Sequence, residues 1–159
     1  MNEIGKSASN SFTKELALFF FAYRAFSQQE GFLADKYEIR RVHRRIIFFI
    51  GRKVGMTVNE LLQVLEVSKQ ALNTPMKELL AKGLIELHQN DKDKRSKLVF
   101  LTDKGRELDQ ALNDIQIQKM KDYFTKAGDP DGLYWNKVME LYAKEIDLDF
   151  INSISETLE

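Results

Sequence analysis

The chain has 159 residues, 43% hydrophobic and 30% charged, with 24 Lys and Arg balanced by 24 Asp and Glu. That is the size and composition of one globular domain, and with only two prolines and eight glycines it is expected to be mainly α-helical. The absence of cysteine excludes a disulfide framework, a thiolate zinc finger and any thiol-based redox sensor.

The first residues, Met1 to Lys6, lack the apolar core of a signal peptide, and no apolar run approaches the roughly 20 residues that span a bilayer. A cytoplasmic chain without membrane contact is expected, organised as a single domain over residues 1–159. Zero net charge argues against a nucleic-acid partner, whose phosphates require cations. Position reverses that argument: Lys36 to Lys97 holds 14 basic and 7 acidic residues, net +7, leaving −7 for the remainder.

From Ser11 to Gln28, Phe12, Leu16, Phe19, Tyr23 and Phe26 follow at steps of four, three, four and three, the period of a helix face. Leu18, Phe20, Phe21, Ala22 and Ala25 cover much of the remaining circumference, more apolar surface than one small core requires. Such a helix is either central to the core or part of a subunit interface. A second helix is predicted from about Lys36 to Gly51, with Val42, Ile46, Phe49 and Ile50 facing inward. Its other face carries Arg40, Arg41, Arg44 and Arg45, either solvated or in contact with backbone phosphates or a bound anion.

Thr57-Val58-Asn59-Glu60 matches the capping box, in which hydroxyl and carboxylate each satisfy a free amide at a helix start. Leu61, Leu62 and Leu65 bury that helix, Val67 turns the chain, and Ser68 caps the next, predicted over Lys69 to Ala81. Two short helices joined so tightly form a helix-turn-helix. In the second, Leu72, Met76, Leu79 and Leu80 make the buried stripe, while Lys69, Gln70, Asn73, Thr74 and Lys77 lie opposite. That polar side is either merely solvated or suited to base edges, since amides bond adenine bidentately and lysines reach guanine or phosphate. Pro75 breaks the local rule, removing one amide bond at a normal cost of about 3 kcal/mol, so a kink is expected.

Gly83 is placed to end this helix at positive φ, after which Leu84 to His88 alternates like a strand. Gln89 to Ser96 is polar and turn-like, and Lys97 to Leu101 alternates again, completing a two-stranded hairpin with Lys92, Lys94 and Arg95 at its tip. An exposed, charged turn between two short strands beside a helix-turn-helix is a wing, suited to reaching into nucleic acid. Thr102 caps a long helix with Leu108, Leu112, Ile115, Met120 and Phe124, which Gly128-Asp129-Pro130-Asp131-Gly132 ends. A last helix is predicted from Leu133 to about Leu158, with Trp135, Val138, Leu141, Tyr142, Ile146, Leu148 and Ile151. The winged motif does not need the terminal helices, so residues 11–30 and 106–158 are expected to dimerise, flanking a DNA-binding lobe over 36–105.

In this order the elements resemble the MarR family of bacterial transcriptional regulators. Thr57 to Leu61 is similar to the first helix of that family's reading motif, Val67 to Leu72 to the start of its recognition helix, and Lys82 to Ile85 to its exit into the wing. Asp93-Lys94-Arg95-Ser96 through Thr102, with Gly105 following, matches its wing signature; Pro75 and Lys94 depart from the pattern. The resemblance implies a mainly α fold with a small β-hairpin wing and a homodimer on double-stranded DNA at a pseudo-palindromic operator, expected to repress. It places Ser68, Lys69, Gln70, Asn73, Thr74 and Lys77 at the major groove or its phosphates and Arg95 in the adjacent minor groove, where negative potential favours a guanidinium. Asp93, which repels phosphate, is assigned to supporting the wing turn and orienting Arg95. Lys94, Ser96 and Lys97, with Lys92, complete the wing's contact set.

The resemblance also implies a small aromatic or anionic effector bound between the dimer helices and the reading lobe. Tyr23, His43 and Arg44 are its candidate ligands by chemistry and approximate location. The competing reading is a winged-helix module that binds protein through its aromatic helices, supported by the neutral net charge. An enzyme is not expected: His43 and His88 are the only histidines, there is no Gly-rich phosphate loop, and neither a cofactor nor a metal site is implied.

Overall fold

The computed structural model describes residues 12–28 and 31–146. In chain order it comprises α1 (Thr13–Phe26), α2 (Gly31–Tyr37), α3 (Arg41–Arg52), β1 (Met56–Thr57), α4 (Val58–Leu65), α5 (Lys69–Ala81), β2 (Ile85–Gln89), β3 (Lys97–Leu101), α6 (Asp103–Lys126) and α7 (Leu133–Ala143). The strands form one antiparallel sheet in the order β1-β3-β2, with Ile85 opposite Leu101 and Gln89 opposite Lys97 in the hairpin.

The core lies wholly in the middle of the chain. Ile46, Ile47 and Ile50 of α3, Leu61 and Leu65 of α4, and Leu72, Met76 and Leu79 of α5 meet Met56, Leu84, Ile85, Val99 and Leu101 of the sheet region and Leu108 and Leu112 of α6. Burying that many branched side chains at about 25 cal/mol per Å² holds three short helices that are marginal alone. Helices α1 and α7 bury no residue. They touch through Phe19 and Tyr142, whose ring centroids are 5.3 Å apart, and Gln116 of α6 donates to the Phe26 carbonyl at 3.2 Å.

Local chemistry explains most boundaries. Thr57 accepts from the Glu60 amide at 3.1 Å while the Glu60 carboxylate accepts from the Thr57 amide at 2.8 Å, closing the capping box of α4. After α5, Gly83 adopts φ +67°; its amide donates to Leu80 and that of Leu84 to Leu79, the paired bonds that close a helix C-terminus. Asp129 caps α7 from a distance, accepting from the amides of Leu133 at 2.8 Å and Tyr134 at 3.0 Å.

Four expectations change. The helix predicted from Lys36 is two helices, because Glu38 takes a left-handed conformation (φ 49°) that separates α2 from α3. The buried face of α3 is His43, Ile46, Ile47 and Ile50, so Val42 and Phe49 are only partly covered. The sheet has a third strand, Met56–Thr57, paired to β3 outside the predicted hairpin. Helix α5 continues through Pro75 as one element, and the Pro75 ring, not assigned to the buried stripe from sequence, lies in the core. The predicted extension of α7 to about Leu158, with Leu148 and Ile151, falls outside the described residues.

Candidate nucleic-acid interface

Helix α4 seats the start of α5. Its last turn closes at Glu66 (φ 52°), where Arg45 of α3 donates to the Leu65 carbonyl at 3.2 Å. Ser68 then caps α5 by accepting from the Ala71 amide at 3.1 Å. With Leu72, Pro75, Met76 and Leu79 turned into the core, Lys69, Gln70, Asn73, Thr74 and Lys77 all stand exposed. The Ser68 hydroxyl thus has a structural task as well as a surface position. Lys53 donates to Glu60 at 2.7 Å; partial burial pushes that carboxyl up, but Lys53 and the Thr57 donors hold it below its usual range.

In the wing, the turn between β2 and β3 is tied by its own side chains. Asp93 accepts from the Arg95 amide at 3.0 Å and from the Arg95 Nε at 3.2 Å, while the Arg95 side chain stays 93% exposed. Ser96 donates to the Asp93 carbonyl at 3.0 Å and accepts from Asn90 at 2.8 Å, so its hydroxyl serves the turn before any partner. Lys97 reaches across the hairpin to Gln89 at 2.9 Å, and Gln89 donates to the Lys94 carbonyl at 2.6 Å. Lys92 and Lys94 are exposed. Gln89 and Asn90 were not among the sequence candidates; their place opposite the turn residues emerges only from hairpin register.

The arginine run of α3 divides among three neighbours, which a choice between solvent and phosphate did not anticipate. Arg40 pairs with Glu78 of α5 at 2.5 Å, Arg44 with Asp109 at 3.2 Å and Asn113 at 2.5 Å on α6, and Arg45 with the end of α4. Arg52 adds a second guanidinium to Asp109 at 3.0 Å, and both Arg44 and Arg52 lie over the Phe48 ring. Burial pushes the Asp109 carboxyl up against the pull of Arg52 and Arg44. Asp109 and Asn113, one helical turn apart among the leucines of α6, are the sequence sign of this network.

The three candidate effector ligands point apart. Tyr23 is 61% exposed on α1, whereas His43 is only 1% exposed and its Nε2 lies 2.6 Å from Glu78. Arg44 turns to α6, away from that pair. Burial lowers the His43 pKa below 6.5, outweighing the hydrogen bond and charge of Glu78. Among the described residues, no group of three His, Cys, Asp or Glu side chains is arranged to hold a metal ion, and no helix is long and apolar enough to cross a membrane.

A helix-turn-helix with an exposed polar second helix, followed directly by a charged hairpin, defines the winged-helix class. The MarR family profile matches residues 37–96. The HTH-type transcriptional regulator PetP of Rhodobacter capsulatus is 35% identical over 127 residues, covering 80% of this chain and 76% of that protein. A MarR protein from Peptoclostridium difficile superposes with a TM-score of 0.72 at 18% identity, covering 88% of this chain and 92% of that one. MepR of S. aureus in its DNA complex gives 0.55 at 20% identity, over 74% of this chain and 97% of the other. The chain belongs to the MarR family of helix-turn-helix transcriptional regulators, and the reading as a protein-binding winged module is not favoured.

Proposed function

We propose that the protein acts as a homodimer on double-stranded DNA, its two α5 helices entering successive major grooves about 34 Å apart on a pseudo-palindromic operator, with repression as the outcome. The observation that carries this reading is the division of α5: every apolar side chain from Leu72 to Leu79 packs inward, leaving Lys69, Gln70, Asn73, Thr74 and Lys77 on one exposed face beside the wing. Ser68 joins them at the helix start. Arg95 enters the minor groove, Asp93 restrains it, and Lys94 and Lys97 meet phosphate with Ser96 holding the turn.

The second copy is supported by apolar surface that one chain leaves in water. Phe12 at the start of α1, Leu16, Phe20 and Phe21 of α1, and Tyr134 and Leu141 of α7 are all more than half exposed, Phe20 at 67% and Tyr134 at 68%. So many large apolar side chains left in water on two helices support an association site. Residues 11–30 and 106–158 form the dimer segments and 36–105 the reading lobe.

Release by a small aromatic or anionic effector would act by favouring one lobe spacing over another. Tyr23 is open to such a molecule, whereas His43 and Arg44 bind one only by surrendering Glu78 and Asp109.

Light scattering on the eluting protein, with footprinting on the promoter beside its own gene, tests the reading. A dimer with a symmetric protected region is expected. A monomer at micromolar concentration that protects nothing overturns it.

A further inference from the structure

Glu78 is out of place on charge grounds. It follows Lys77 on α5, and a carboxylate on the helix that approaches phosphate repels the partner that helix is built to meet. Its side chain is 38% exposed, so water alone does not explain its setting either. The structure supplies a reason: one oxygen, Oε2, accepts from both Arg40 at 2.5 Å and His43 at 2.6 Å.

The α3 side of this grip is rigid. His43 Nδ1 accepts from the Arg40 amide at 2.9 Å, capping the start of α3, which leaves the ring proton on Nε2, aimed at Glu78. The imidazole cannot turn without opening the cap. Helix α3 is itself fastened to α6 through Arg44, Arg52 and Asp109. The apolar core that seats α5 is non-directional, whereas a charge-assisted pair of hydrogen bonds to one oxygen fixes a direction.

We propose that Glu78, gripped by His43 and Arg40, is a positioning residue that sets the pose of α5 and so the registration of Gln70, Asn73 and Thr74 on base edges. The inference rests on the reading of α5 as the DNA-contacting helix. It is specific to sequence discrimination: a shifted α5 still offers its lysines to phosphate but misplaces its amides.

The test uses the full-length chain and the duplex that it enriches from a random-sequence pool, compared with a scrambled duplex of equal length and composition. For Glu78→Ala, affinity for the enriched duplex is expected to fall about tenfold or more while affinity for the scrambled duplex holds or rises, because a negative charge has gone. A general loss of structure weakens both alike; simple electrostatics strengthens both. Either of those outcomes, with circular dichroism showing a folded chain, overturns the proposal. Glu78→Gln keeps an acceptor for His43 and nearly the same shape, so it covers the case in which the alanine variant fails to fold; it is expected to lose about threefold on the enriched duplex alone. His43→Asn retains the Nδ1-like acceptor that caps α3 but not the reach to Glu78. It is expected to lose affinity for the enriched duplex with affinity for the scrambled duplex unchanged, since the Glu78 charge remains, and wild-type discrimination by it overturns the proposal. A wild-type chain that enriches no sequence overturns the DNA reading itself and this inference with it; enrichment that Glu78→Ala shares equally overturns the positioning role alone.

Discussion

Arg95 and Gly105 illustrate how differently single residues act in this protein. Arg95 extends from the wing, 93% exposed and paired with Asp93 two residues away, so Arg95→Ala is expected to leave the fold intact and weaken DNA binding about tenfold. Titrations across salt concentration should show the slope of log affinity against log salt falling by about one. Gly105 lies where α6 crosses the chain between α5 and β2: a Cβ there meets the Leu84 carbonyl oxygen at 2.0 Å. Gly105→Ala therefore forces a backbone shift and is expected to cost about 3 kcal/mol in denaturant unfolding. His43 makes stability depend on pH. Because burial lowers its folded-state pKa below 6.5, the fold favours the neutral ring. Its contribution is complete above pH 6.5 and is lost as the pH falls through the lowered value. Glu78 draws that value up, while Arg40 and Lys82 press it down. Melting temperatures of wild type and His43→Asn should therefore converge as the pH is lowered from 7.5 to 5.5.

At the scale of elements, boundaries set by local chemistry were legible and those set by packing were not. Helix α5 and strand β3 have the bounds expected from Ser68, Gly83 and the alternation of Lys97 to Leu101, because a cap, a positive φ and a pleat depend on a few adjacent residues. Glu38 has no such mark. It is a glutamate in a left-handed turn, held there while Ala34 and Ile39 on either side are buried. Strand β1, two residues long, exists only because β3 offers it an edge. The arginines of α3 follow the same rule: their partners lie on α4, α5 and α6, far away in the chain. Asp109 is the clearest case, since it answers two guanidiniums at once. Asp109→Asn removes the carboxylate that Arg44 and Arg52 both meet and is expected to cost about 3 kcal/mol in thermal or denaturant unfolding.

The whole molecule has an uneven division of labour. Its core belongs to the middle of the chain, while α1, α7 and the second half of α6 display their apolar side chains, among them Ile115, Ile117 and Tyr123. A helix with no buried residue is held in place by what covers it, and for α1 the proposed cover is a second copy. If the proposed dimer forms through α1, replacing Phe20 and Phe21 by glutamate is expected to give a monomer in sedimentation velocity while leaving the circular dichroism largely unchanged. By itself the sequence determined the winged helix-turn-helix, its caps, the exposed polar face of its second helix and the basic charge of its middle, because each depends on residue type and short-range spacing. Only the tertiary structure decided that α3 is the hub to which α4, α5 and α6 are fastened, and that Glu78 answers to His43 and Arg40. Those contacts join residues 20 to 69 positions apart, and a linear pattern of charges does not say which opposite charge it will meet.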